Sequence, residues 1–210
     1  MVYLELKSPR EHEVTAMSMT VFQDRIFPRH VSDLMNLMHM VVFHGTDGDE
    51  SWESLLELKQ KEYVSPGLAE YYQCEHCIEH HMAALCKLES VTPAVLTKNI
   101  NAMILFLRID TRTIGKAEKQ HWISSWTRFA HRLAMESNDE LMPYLMGLAI
   151  GIARDDDFLI AFCGEEVKKV TADKGMDLRA VIGELESVVV FMKAAVSKNR
   201  VARKIDALCK

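Results

Sequence analysis

Eight consecutive residues carry the side chains best suited to chemistry: Cys74-Glu75-His76-Cys77-Ile78-Glu79-His80-His81. At ~100° of rotation per helical residue, Cys74, Cys77 and His81 fall within about 60° of one another, so one helix face presents two sulfurs and an imidazole. A dithiol so spaced closes a disulfide across one turn, with one sulfur attacking and the other resolving. Two effects favour its thiolate, a helix N-terminus near Cys74 and a base near Cys77. Zinc is the competing use of these side chains, because Cys74, Cys77, His81 and His80 would make a Cys₂His₂ set. Structural zinc sites draw their ligands from two separated pairs, however, and no separate C-x-x-C or H-x-x-x-H lies elsewhere in the chain. The expectation is a redox pair with no metal and no cofactor. Cys86, Cys163 and Cys209 read as small apolar residues.

The elements that must hold this face are helical. Apolar residues recur at spacings of three and four nearly throughout, and strict alternation is almost absent. Gly 9 and Pro 5 are few for 210 residues, which also favours helices over turn-rich sheets. The pattern predicts helices over 11–26, about 28–43 and about 50–63, with a turn at His44-Gly45-Thr46-Asp47-Gly48-Asp49. Ser65-Pro66 reads as an N-cap and an N1 proline opening a new helix toward Cys74, which would break the chain between Glu62 and the thiols. Thr92-Pro93 opens another helix through Leu107. Further helices follow over roughly 116–136, 139–153, 156–173 and 177–198, the last capped by Asp177. The basic tail Lys198–Lys210 reads as a solvated helix end. Trp122 and Trp126 read as packing, His39 and His44 as satisfied core or edge histidines, and Asp155-Asp156-Asp157 as carboxylates on a helix dipole.

No linker rich in Gly, Pro or Ser divides the chain, so the expectation is one all-α domain over 1–210. A faint internal echo runs through it. The features from Glu140 through Gly147, Arg154 and Ala161 to Met192 follow the order of those from Glu62 to Leu107, with Asp155 and Phe158 where the first stretch has cysteines. True duplication and generic helical periodicity explain this echo equally well.

Charge and length bound the function. Lys and Arg number 25 against 30 Asp and Glu, a net charge of −5, so there is no basic footprint for nucleic acid. The longest charge-free apolar stretch, Leu141–Ala153, is shorter than the ~20 residues a membrane-spanning helix needs. The opening segment carries charges throughout and lacks the apolar core of a signal peptide, and an odd count of five cysteines does not suit a disulfide-stapled secreted domain. A cytoplasmic protein, touching neither membrane nor nucleic acid, is expected.

The motif also resembles a family. Lys61-Glu62-Tyr63-Val64, small residues at Gly67 and Ala69, Cys74-x-His76-Cys77-x₃-His81, Ala83-Ala84 and Thr92-Pro93 before Val95 and Ile100 are similar to the pattern of the carboxymuconolactone decarboxylase and alkylhydroperoxidase D-like superfamily. Its members read K-E-L-I, then C-x-x-C-x-x-x-H, an alanine helix and T-x-E-E-I. The resemblance covers about residues 55–107. It implies an alkylhydroperoxidase D-like helical fold, with a core over about 28–110 and a C-terminal half over about 116–198 that is a degenerate second copy. It further implies a homo-oligomer, a trimer or hexamer. Carried over position by position, it makes Cys77 the peroxidatic nucleophile and Cys74 the resolving thiol. His81 becomes the general base, Glu62 the residue that poises it, and His76 an auxiliary proton relay. A peroxide or disulfide is then the substrate, and an external dithiol, a lipoylated or thioredoxin-like protein, the reductant. Glu70 or Glu79 would have to substitute if Pro66 displaced Glu62.

Three functional readings follow. The first is a thiol peroxidase or disulfide reductase, an antioxidant oxidoreductase. The second is a non-catalytic redox-sensing or zinc-binding module. The third is the family's lactone chemistry, which needs a base but no cysteines.

Overall fold

The computed structural model describes residues 29–44, 54–88 and 93–208, and among these every regular element is helical. The expected helix over 11–26 and residue Cys209 lie outside the described residues. Eight α-helices are described: α1 (Arg29–His39), α2 (Leu58–Tyr71), α3 (Glu75–Leu88), α4 (Pro93–Arg108), α5 (Lys116–Ser137), α6 (Met142–Arg154), α7 (Asp157–Asp173) and α8 (Leu178–Leu208). A π-helical turn, Met40–His44, extends α1. None of these helices is long and apolar enough to cross a membrane.

Local signals set most of the boundaries. Asp156 accepts a hydrogen bond from the backbone N–H of Leu159 (3.2 Å) and caps α7, and Asp177 accepts one from Arg179 (2.9 Å) at the start of α8. Asn138 and Asp155 take left-handed conformations, φ 53° and 55°, and end α5 and α6. Gln60 ties two helix starts together. Its Oε1 accepts from the Glu57 N–H (3.0 Å), while its Nε2 donates to Asp139 (3.0 Å), whose other oxygen receives the Leu141 and Met142 N–H groups ahead of α6.

Two expected helix boundaries move here, and both changes shape the site. The chain does not break at Ser65-Pro66: α2 runs unbroken from Leu58 to Tyr71 with Pro66 inside it. Residues 60–69 are all buried, so packing on several sides holds a turn that proline weakens by removing one backbone bond. Ser65 sends its hydroxyl to the Lys61 carbonyl (2.8 Å), within that same turn. Likewise α8 continues ten residues past the expected end. Lys198 and Ala202 are buried, whereas most of the described residues beyond Asn199 are exposed, as expected of a solvated helix end.

The core forms around α2 and α6, whose side chains are buried nearly all round. They approach closely: a Cβ on Gly67 would stand 3.0 Å from the sulfur of Met146. Helix α8 runs over both and reaches the π turn. A buried lysine fixes that junction. Lys61 donates to the Val42 carbonyl (2.8 Å) and the Ser54 hydroxyl (2.8 Å), and it pairs with Glu184 of α8 (3.1 Å). Glu184 also accepts from the Leu55 and Leu56 N–H groups, so one ion pair locks α2, α8, the strand-free segment before α2 and the π turn to each other. The Trp pair behaves as packing: Trp122 and Trp126 stack at 5.3 Å, both buried.

Candidate functional site

The two cysteines flank the start of α3. Gln73 turns left-handed (φ 59°), and the Cys74 N–H then returns to the Ala69 carbonyl (2.9 Å), so the chain leaves α2 and re-enters a helix within three residues. Cys74 stands immediately before α3, its carbonyl accepting from Ile78 N–H (3.1 Å), and Cys77 lies three residues on. They form a disulfide with Cα atoms 5.3 Å apart. Both cysteines stand at the N-terminal end of α3, where the unpaired N–H groups and the helix dipole favour a thiolate once the bond is reduced.

His81 lies one turn after Cys77 on the same buried face. Its Nδ1 is 2.7 Å from a carboxylate oxygen of Glu62, and both side chains are about 95% shielded from solvent. A carboxylate only accepts, so Nδ1 carries the hydrogen and Nε2 is left as the open nitrogen. Glu62 reaches His81 because α2 stays continuous through Pro66; Glu70 instead pairs with Arg108 and Glu79 is exposed.

Cys77, not Cys74, faces open space. A cavity of about 20 Å³, lined by His39, His76, Cys77, His80, His81 and Asn199 among others, abuts it. That is room for about one water-sized centre. His76 is exposed at the rim, and His80 is partly buried. Burial first, and then the neighbouring His81, lower His80 to about 4, so it is a neutral imidazole near pH 7. A larger cavity of about 640 Å³ lies on the other side of the α2–α3 turn, against Gln73 and Glu75, but neither sulfur lines it. Of the two sulfurs, Cys77 lines the small cavity and Cys74 is fully enclosed.

Two residues join the site that the motif did not announce. Asn199 of α8 points its amide at both sulfurs, 3.6 Å from Cys77 Sγ and 3.9 Å from Cys74 Sγ. His39, the last residue of α1, is not the satisfied histidine expected. It is buried, and neither ring nitrogen has a hydrogen-bond partner among the described residues. Its ring stacks on Phe43 (4.8 Å), which in turn stacks on His81 (5.4 Å). No local signal marks either residue; only the apolar periodicity of their helices, which directs those faces inward, bears on them.

Among the described residues no group of three or more His, Cys, Asp or Glu side chains is arranged to hold a metal ion. Compared with known proteins, the chain matches no family model, no curated protein and no solved structure.

Proposed function

We propose that the chain is a thiol-dependent peroxidase or disulfide reductase that cycles the Cys74–Cys77 pair. The observation that carries the reading is the coupling of a reactive dithiol to a base. Cys77 shares a water-sized cavity with His81, and a buried carboxylate, Glu62, fixes the tautomer of that histidine. His81 takes the Cys77 proton. The thiolate attacks one peroxide oxygen; an S–O bond forms, the O–O bond breaks, and the departing oxygen takes up the proton, leaving an alcohol or water. The Cys77 sulfenic acid then condenses with the Cys74 thiol, releasing water and closing the disulfide. An external dithiol attacks Cys77, the more open of the two sulfurs, and leaves as a disulfide while both cysteines return to thiols. Asn199 donates to the sulfur that carries charge, and His76 relays protons at the rim.

The resemblance noted in the motif supports an alkylhydroperoxidase D-like fold, a trimeric or hexameric assembly, a cytoplasmic location and a lipoylated or thioredoxin-like reductant. The test is consumption of hydrogen peroxide and of an organic hydroperoxide by the purified protein with dihydrolipoamide as reductant. Multiple turnovers that vanish in Cys77→Ser are expected; no turnover by the wild type overturns the reading. The burial of both sulfurs favours one other reading, a redox-sensing module, which would oxidise once per chain and not turn over.

A further inference from the structure

We propose that His39 is a further catalytic residue, whose ring N–H binds the departing oxygen of the peroxide while Cys77 attacks the other. The inference rests on the peroxidase reading above and on geometry that reading does not use. His39 comes from α1, outside the cysteine helix, yet its ring lines the same cavity as Cys77 and His81. It is buried, and both nitrogens lack a partner among the described residues. Buried donors and acceptors are rarely left so, because desolvation is unfavourable unless a hydrogen bond replaces the water. The ring is nevertheless held tightly: Phe43 stacks on one face, and the edges of His80 (5.9 Å) and Phe191 (5.6 Å) close on it. A fixed imidazole with two unsatisfied nitrogens, beside a space the size of one water, fits a small ligand that can both donate and accept. The O–O–H head of a hydroperoxide is such a ligand.

The electrostatics assign His39 its part. Burial, and after it the imidazoles of His81, His80 and His44, push it down to about 3, so at neutral pH it is uncharged and carries one N–H. Among the described residues, the buried carboxylate at the site, Glu62, is already committed to His81. His81 is therefore the imidazole able to hold the proton taken from Cys77, and a neutral His39 supplies a dipole without competing for it. In the step, the thiolate electron pair forms the S–O bond and the O–O pair leaves on the outer oxygen. That oxygen rests on the His39 N–H, and the proton held by His81 neutralises it. The products are the Cys77 sulfenic acid and one alcohol or water.

The experiment compares wild type, His39→Phe and His39→Gln. Phenylalanine keeps the stack on Phe43 and removes both nitrogens; glutamine restores a donor. Two rates are read on reduced protein: oxidation of Cys77 by hydrogen peroxide, and alkylation of Cys77 by iodoacetamide, whose iodide needs no donor in this cavity. Far-ultraviolet dichroism and the unfolding midpoint show that each variant is folded. His39→Phe is expected to slow oxidation about a hundredfold, the effect typical of losing one preorganised donor. Alkylation should stay within about threefold of wild type, and glutamine should recover much of the oxidation rate. Equal oxidation rates in wild type and His39→Phe overturn the role of His39 while leaving the peroxidase reading intact. Equal losses in oxidation and alkylation reduce His39 to a structural residue, and a variant that does not fold, with His39→Gln no better than that, does the same. A wild type that consumes no peroxide overturns both readings.

Discussion

Helices α2–α3 and α6–α7 are joined by the same turn carrying different side chains. Each first helix ends on a left-handed residue, Gln73 or Asp155, and the next N–H returns five residues, Cys74 to Ala69 and Asp156 to Gly151, at 2.9 Å in both. Each second helix then begins with an N–H accepted four residues back, Ile78 on Cys74 and Ile160 on Asp156. This register sets Asp156 opposite Cys74 and Leu159 opposite Cys77, one residue on from the pairing of Asp155 and Phe158 that the pattern of features suggested. It also sets Tyr144 opposite Glu62 and Cys163 opposite His81. The two units share this turn, and packing side chains stand in the second where the first carries cysteines and a histidine. Where one turn holds a disulfide, the other holds an ion pair: Asp156 receives Arg154 (2.8 Å) and the Thr111 hydroxyl, all buried. Where one helix buries a histidine on a carboxylate, the other buries a thiol, Cys163, whose titration burial pushes up and away from reactivity. The shared backbone makes the turn, and the side chains placed on it decide whether it holds a disulfide or an ion pair.

The largest expected contrast is between the two positions' sulfurs. Cys77→Ser should lower peroxide turnover at least about a thousandfold, as loss of a nucleophile does. Cys163→Ser should leave turnover unchanged and instead lower stability by about 1–3 kcal/mol, because a hydroxyl enters a site without a partner. Coupled turnover assays and urea melts on the two variants read this directly.

The stabilising half of the comparison breaks at Asp156. Asp156→Ala removes the α7 cap and leaves Arg154 buried without its carboxylate, so stability should fall by about 3–5 kcal/mol, with folded protein still active. The effect carries a pH signature. Burial alone would raise the Asp156 carboxyl, but the bonds from Thr111, the Leu159 N–H and Arg154 outweigh it and hold the group below its usual range. A lowered carboxyl contributes fully above the unfolded value of ~3.9 and loses that contribution as the pH falls through the folded value. Wild type and Asp156→Ala should therefore converge in acid unfolding and differ most near neutrality.

Between the matched positions of buried Glu62 and half-buried Tyr144, Glu62→Gln should slow turnover about a hundredfold, the usual worth of a poised acid–base group, whereas Tyr144→Phe should not change it. The smallest effect is expected at Asn199. One neutral amide bond to sulfur contributes about 1 kcal/mol, so Asn199→Ala should slow Cys77 alkylation by about fivefold.

What was legible in the chain follows the same division. Cys74, Cys77 and His81 lie within two turns of one helix, so their spacing alone aligned them, and the caps at Asp156 and Asp177 are local signals too. Asn199 and His39 were not legible. They stand 122 residues after and 38 residues before Cys77, and only the packing of α8 over α2, with α1 and its π turn against α8, brings them in. Pro66 misled for the complementary reason: its local preference for a helix start is real but smaller than the burial that surrounds residues 60–69.

The central claim is that Cys77 and His81 act as one unit, and the most direct measurement is the pH dependence of Cys77 alkylation in reduced wild type and in His81→Gln, which keeps a donor for Glu62 but removes the base. A midpoint well below the ~8.5 of an ordinary thiol in wild type, moving up in the variant, is predicted. Midpoints near ~8.5 in both proteins would contradict it.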